Sequence, residues 1–181
     1  SILDLDALLP KLVDAIQRTF GYYFVGLFLA DERSGEIECR AATHPEELGL
    51  RRMPGVGLVG AAISGARTVR VKDVLAEPRY VSTPRLPDAR SEAVVPLFLK
   101  DVVIGALDIQ SDAPGAFSDD DEDYLEVLAQ QVAVAVGDAR LYEAEREQAW
   151  QSTAMLQVAD VARSAETVED AMEAIVRLVP L

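Results

Sequence analysis

Leu5, Leu8, Leu9, Leu12, Val13 and Ile16 recur at helical spacing, with Asp4 or Asp6 placed to cap the element and Gly21 to end it. Pro10 falls within the first two turns, where its missing N–H costs a helical hydrogen bond unless it lies near the first position. From Tyr22 to Ala30 the period changes to two. Val25, Leu27 and Leu29 fall on one face and Phe24 and Phe28 on the other, which predicts a strand covered on both sides. Asp31-Glu32-Arg33-Ser34-Gly35 carries turn chemistry, and Glu36 to Thr43 alternates as the returning strand of a hairpin. His44 to Pro54 is polar and reads as a loop. Gly55 to Gly65 reads as a glycine-rich turn feeding a short helix of small residues. Thr68 to Val71 predicts a short strand, Val74 to Leu75 a helical turn, and Glu77 to Arg90 a surface loop. A second hairpin joins Glu92–Leu99 to Val102–Gln110 through Lys100-Asp101. Pro96 cannot donate to a ladder, so its strand lies at an edge or carries a bulge there.

The last element opens at Ser118, a good cap, with acids in its first turn that suit the helix dipole. Leu125, Leu128, Val132, Ala135, Ala139 and Tyr142 mark one face. The helix is expected to reach residue 148, roughly 45 Å at 1.5 Å per residue, and to extend through Trp150 and Met155 toward Ala162. That overhang exceeds the needs of a compact domain, so the terminal helices are expected to pack against a second copy as a homodimer. The elements sum to an α+β fold with a central antiparallel sheet of about five or six strands.

Composition narrows this further. The chain has 181 residues, enough for one domain plus extra chain. Half of it is hydrophobic and 27% is charged, as in a globular protein with a core. No apolar run is long enough to span a bilayer, and no basic-then-apolar leader opens the chain. The net charge of -14 opposes binding to nucleic acid or an anionic membrane. Cys39 is the only cysteine, which excludes an intrachain disulfide or a cysteine zinc finger and fits a cytoplasmic location. His44 is the only histidine, so any Ser-His-Asp triad would have to use it.

Several segments then stand in a recognisable order. They are GVGLVGAAISGARTVRVKD from Gly55 to Asp73, Pro78-Arg79-Tyr80, Arg90-Ser-Glu-Ala-Val-Val-Pro-Leu97, Val103-Ile-Gly-Ala-Leu-Asp-Ile109 and Phe117-Ser-Asp-Asp-Asp121. In this order and spacing they resemble a GAF domain, over about residues 3–148. The resemblance implies a GAF-like, profilin-like sheet with the terminal helices on one face. Short helices and ligand-pocket loops would lie on the other, around residues 57–92. It implies pocket candidates at Asp73, Arg79, Tyr80, Arg90, Ser91 and Glu92. Arginines 79 and 90 would bracket the roof and hold a carboxylate, nitrate or phosphate by paired N–H donors, or else serve as ordinary surface arginines. Ser91 and Glu92 could equally shape the turn.

Residues 168–179 share apolar positions with residues 5–16 (Leu9 with Met172, Leu12 with Ile175, Ile16 with Val179). This predicts a domain at 1–148 and, over 149–181, a linker helix leading into the truncated start of a second such module. The parent would be a multidomain signalling protein, plausibly a sensor histidine kinase of a two-component system, a phosphatase or a cyclic-dinucleotide enzyme.

The family's ligand motifs are incomplete here. Phe117 to Glu122 matches half of the cyclic-nucleotide motif, but Gln110-Ser111 stands where Asn-Lys is needed, and helix capping explains the acids. Bilin attachment uses a cysteine often followed by histidine, whereas Cys39 and His44 are apart. A lone histidine leaves haem open. The glycines at 55, 57, 60 and 65 lack the Lys-Ser or Lys-Thr of a phosphate loop. The family's enzymatic branch reduces free methionine sulfoxide with several cysteines, and Cys39 alone would stall after the first step. The expectation is therefore a non-catalytic sensory module for an unidentified small molecule; the alternative is a ligand-free structural connector.

Overall fold

The computed structural model describes residues 4–31 and 33–164. The chain divides into two compact units, Ser1–Ala139 and Arg140–Leu181. The first holds a six-stranded sheet in the order β3-β2-β1-β6-β5-β4, every neighbouring pair antiparallel. Its strands are β1 (Phe24–Ala30), β2 (Ile37–Ala42), β3 (Arg51–Arg52), β4 (Val69–Val71), β5 (Ser91–Leu99) and β6 (Val102–Ser111). The helices are α1 (Leu5–Phe20), α2 (Gly57–Gly65) and α3 (Asp119–Ser164), the last running on into the second unit.

The helix ends follow from local chemistry. The Asp4 carboxylate accepts from the N–H groups of Asp6 and Ala7 at 3.0 and 3.3 Å, satisfying two of the first-turn donors. Gly21 closes α1 in the left-handed region at φ 69°, its N–H bonded to Gln17 O at 2.7 Å. Pro10 lies inside α1 on its exposed side, where water can serve the carbonyl that its ring leaves without a donor. At the start of α3, Ser118 N–H donates to Asp121 Oδ2 at 2.8 Å and Asp121 N–H donates back to Ser118 Oγ at 3.2 Å, a reciprocal cap. Arg70 of β4 then ties the sheet to this helix. It pairs with Asp119, reaches Glu122 at 3.2 Å and donates to Phe117 O at 3.1 Å.

The alternation in β1 divides the core as its sequence predicts. Val25, Leu27 and Leu29 join the layer formed with Leu9 and Val13 of α1 and Leu125, Val132 and Val136 of α3. Phe28 joins the opposite layer with Leu58, Val59 and Ala62 of α2. Phe24 packs in a smaller cluster under Leu86 and Ala89. The sheet is thus covered on both faces, with helices α1 and α3 on one and α2 and the connecting loops on the other.

Two details refine the expected pattern. The segment predicted as loop from His44 to Pro54 contains a 3-10 turn at Pro45–Glu47 and the short strand β3. A two-residue strand of charged Arg51 and Arg52, paired with Glu38 and Ile37, leaves no periodic signal. Pro96 meets the first of its predicted conditions. β4 pairs only with Glu92–Val94, so β5 is an edge at Pro96, and the register shifts just beyond, between Leu97 and Phe98.

In the second unit the helix continues to Ser164, with Leu141, Trp150, Met155 and Leu156 exposed and the Arg146 guanidinium 6.0 Å from the Tyr142 ring centre. The suggested second module at residues 168–179 lies outside the described residues. No helix among the described residues is long and apolar enough to cross a membrane.

Candidate functional site

The strand period that buries Leu107 and Ile109 toward the helices turns Asp108 and Gln110 to the other face. Glu92 lies directly opposite Gln110 in the β5–β6 register, and Val94 opposite Asp108. Three polar side chains therefore share one patch of sheet. All are buried: Glu92 and Asp108 are 3% exposed and Gln110 5%. Phe24 and Phe28 flank them from β1. They fold over Gly26, where a Cβ would meet the Phe24 ring at 2.8 Å and the Phe28 ring at 3.1 Å.

The roof comes from four segments: Gly57–Val59 at the start of α2, Glu47 of the 3-10 turn, Arg52 of β3, and Tyr80, Val81, Thr83 and Leu86 of the long loop. Gly60 lets this roof sit close. A Cβ there would stand 2.8 Å from Met53 O and 2.9 Å from Gly55 N, so only glycine fits. The glycine-rich segment serves close packing. Between floor and roof is a cavity of about 30 Å³, room for about one water.

The loop is latched to a buried carboxylate. Thr83 Oγ1 donates to Glu47 Oε1 at 3.1 Å, and Arg85 lies 3.9 Å from the same oxygen. Thr83→Val keeps the shape and removes the donor. A hydrogen bond to a charged group contributes about 1.5–3 kcal/mol, so amide exchange across residues 77–90 should quicken at least about tenfold. Unchanged exchange in that variant would show that the latch does not hold the loop.

Within the cavity, Gln110 Nε2 donates to Asp108 Oδ2 at 3.2 Å. With both acids ionised, Glu92 Oε2, Asp108 Oδ1 and Gln110 Oε1 are buried with no donor among the described residues. Burial, and then the Asp108 charge, hold the Glu92 carboxyl well above the usual carboxylate range. Burial pushes Asp108 up to about 7, with the Gln110 amide and Arg52 pulling the other way and Glu47 adding to the rise. The pair holds a proton in common, with a hydrogen bond between the Glu92 and Asp108 carboxyl groups, as expected of two acids side by side in a dry site. Burial, then the Glu92 charge, raise the Tyr80 phenol to about 12.

Of the residues singled out from the sequence, Tyr80 and Glu92 line the cavity. Asp73 caps the 3-10 turn at Val74–Ala76 and lies 3.6 Å from Arg90. Arg79 is exposed and folds back on Glu77 at 2.7 Å. Arg90 keeps a buried Nε without a partner, outside the cavity lining. The Ser91 hydroxyl donates to Ala113 O at 2.7 Å and fixes the loop after β6. Asp108 and Gln110 were legible as polar residues two apart in a strand whose faces are otherwise apolar. Glu47, Arg52 and Thr83 are brought in by tertiary structure alone.

The remaining motif residues have structural duties. Phe117 is buried in the helix-side core, and the acids after it cap α3 or hold Arg70. His44 packs between Tyr23 and Phe24 at ring-centre distances of 5.7 and 5.8 Å. Cys39 is buried in the α2-side core, its thiol donating to Ala41 O at 3.6 Å and pushed up to about 12 by burial and then by Asp108.

A curved antiparallel sheet backed by helices, with a small polar-floored cavity under loops, defines an α+β module of two covered faces. The sequence profile of the GAF domain matches residues 2–137, and the chain belongs to that family. It is 32% identical over 118 residues to GAF domain-containing protein A of Dictyostelium discoideum, covering 65% of this chain and 72% of that protein. It is 35% identical over 82 residues to the free methionine-R-sulfoxide reductase of Escherichia coli, covering 45% of this chain and 48%, about half, of that enzyme. Among solved structures, the free methionine-R-sulfoxide reductase of Neisseria meningitidis, determined in complex with its substrate, superposes with a TM-score of 0.68. It is 31% identical, and the match covers 77% of this chain and 82% of that one.

The comparisons correct one expectation. The module was expected to be non-catalytic, but GAF proteins this similar to it include enzymes. The expectation rested on the count of cysteines within the chain. Thiol chemistry can draw on thiols from outside it, so the count does not exclude catalysis.

Proposed function

We propose that this chain is a ligand-binding GAF module whose cavity takes a small molecule through a positively charged, donor-rich head. Free methionine sulfoxide, or a free amino acid close to it, is the proposed ligand. The observation that carries this reading is the buried cluster of Glu92, Asp108 and Gln110, whose outward oxygens have no donor besides the proton that the two acids share. Buried acceptors left unmatched are costly, and an α-ammonium group supplies three donors at once. Arg52, on the wall of the same cavity, supplies a cation for the α-carboxylate. The similarity to two free methionine-R-sulfoxide reductases supports the choice of amino acid.

In this reading the loop of residues 77–90 opens to admit the ligand and recloses on Glu47. The exposed Leu141, Trp150 and Met155 of α3 support pairing with a second copy, through which a change in the pocket would pass to neighbouring domains of a signalling protein. The single cysteine supports a reducing, cytoplasmic setting.

Calorimetry with free L-methionine (R)-sulfoxide tests the assignment. Wild-type protein should bind it, and Asp108→Asn should bind at least about tenfold more weakly, as for loss of one charge-assisted hydrogen bond. No heat in the wild type, or equal affinity in the variant, would remove the reading. Amino-acid analysis of the same mixtures with added dithiothreitol, and with Cys39→Ser as control, reads whether bound sulfoxide becomes methionine.

A further inference from the structure

We infer that the cavity takes up its ligand's positive charge in exchange for a proton, and that Glu92 is the residue that releases it. The inference rests on the binding reading above and concerns the same site.

The argument begins with the strand register. Glu92 faces Gln110 directly, and Asp108 is one pair further along the same face, so the two carboxyl groups are cross-strand diagonal neighbours. Each is 3% exposed, and apart from the proton shared between them neither outward oxygen has a donor. The surrounding elements determine which charges the pair sees. β1 offers only the rings of Phe24 and Phe28, and α2 only Gly57, Leu58 and Val59. The 3-10 turn brings Glu47, a third acid, whose own partners are Thr83 and Arg85 on the loop. β3 brings Arg52, the one cation among the described residues lining the cavity, and the loop brings the Tyr80 phenol. Cys39 of β2 is close enough to feel Asp108 and Glu47, and its high thiol pKa keeps it neutral.

Three acids against Arg52, with Arg85 reaching only Glu47 at 3.9 Å, leave an excess of negative charge in a space that holds about one water. Such a site retains a proton on its acid pair. Gln110 Nε2 steadies the Asp108 anion at 3.2 Å, which leaves the proton with Glu92. An entering ammonium ion changes both terms. Its N–H groups take over the oxygens of Glu92 and Asp108 that the proton had bridged and meet the free Gln110 Oε1, and its charge replaces that of the proton. The balance is R–NH3⁺ plus Glu92–COOH giving the ammonium–carboxylate complex plus H⁺ to solvent, with no change of oxidation state. A neutral head group of the same shape has no charge to exchange and leaves the proton in place.

Calorimetry of the whole chain in buffers of different ionisation enthalpy measures the exchange. Phosphate and Tris at one pH form a suitable pair, with free L-methionine (R)-sulfoxide and methylammonium as probes. The wild type should release close to one proton per bound ligand near pH 8, where Asp108 is ionised and Glu92 is not, and more than one toward acid pH. Its affinity should rise by up to about tenfold per pH unit where the pair titrates. Glu92→Gln, an isostere of the protonated acid, should keep the fold by circular dichroism and release none near pH 8.

Sulfoxide binding with no buffer-dependent heat would overturn the exchange while leaving the ligand reading intact. If the sulfoxide fails to bind, the ligand reading falls and methylammonium decides the exchange. Proton release with that ion upholds the exchange; binding without release, or no binding, overturns it. Infrared spectra of the ligand-free protein give an independent check. A carboxylic-acid C=O band at neutral pH that disappears in Glu92→Gln is expected, and its absence would also overturn the inference.

Discussion

Gly105→Ala should yield little folded protein, the largest effect of any single substitution considered. Gly105 lies in β6 between Leu29 of β1 and Leu97 of β5. A Cβ built on it would stand 2.1 Å from the Phe28 carbonyl oxygen and 3.1 Å from Leu29 Cα. Both are backbone atoms of the neighbouring strand, so no rotamer change relieves the clash. Strands β1 and β6 would have to part at the centre of the sheet, where residues on both faces feed the two main core layers. Overpacking against side chains costs about 1–3 kcal/mol, and displacing a central strand costs more. Against a total stability of about 5–15 kcal/mol, a loss of more than about 3 kcal/mol is expected. Gly65→Ala is the control, since its Cβ would meet nothing closer than 3.5 Å. Urea unfolding of the two variants gives the comparison. Similar midpoints would mean that the sheet tolerates what its geometry forbids.

The second large effect is an inverted pH profile. In the unfolded chain Glu92 and Asp108 titrate near 4, whereas in the fold both hold their protons to higher pH. Between about pH 4 and pH 7 the native state therefore binds more protons than the unfolded state, and stability falls as pH rises. Each such proton changes stability by up to about 1.4 kcal/mol per pH unit, so Asp108 alone loses on the order of 4 kcal/mol over that window, and Glu92 adds to the fall. The net charge of -14 acts in the same direction. Asp31, Asp119 and Asp121, held below the usual range by hydrogen bonds from Ser34, Arg70 and Ser118, act the opposite way. Their contribution is present above the ordinary carboxylate range and is lost as pH falls through their lowered values. Asp31 and Asp119 are exposed and Asp121 is only partly buried, so their contribution is small. The chain should be most stable near pH 4–5 and weaker at pH 8. Asp108→Asn should flatten the profile and exceed the wild type at pH 8 while losing ligand. A wild-type profile that is level or rises from pH 5 to pH 8 would contradict this account.

The fold was largely legible because its signals are local and periodic. The change from helical spacing at Leu5–Ile16 to strand spacing at Tyr22–Ala30, the turn at Asp31–Gly35 and the cap at Ser118 each predict an element from a few adjacent residues. The site was legible only in part. Glu92 and Tyr80 came from resemblance to a family, while Asp108 and Gln110 carried a physical signal in the sequence, polar side chains where a doubly covered strand should be apolar. Arg52 and Glu47 carried none. A two-residue strand and a three-residue turn have no period, and their place in the cavity is set by contacts distant in sequence.

β6 is a wall one residue thick. Asp108 and Gln110 look into the chamber, while Leu107 and Ile109, their immediate neighbours along the chain, are wedged among α1 and α3. A shift of the strand under the chamber's contents is therefore the same event as a shift of the wedges beneath the long helices. On the proposed reading, news of occupancy would cross the sheet within a single peptide unit and would need no relay of side chains to carry it.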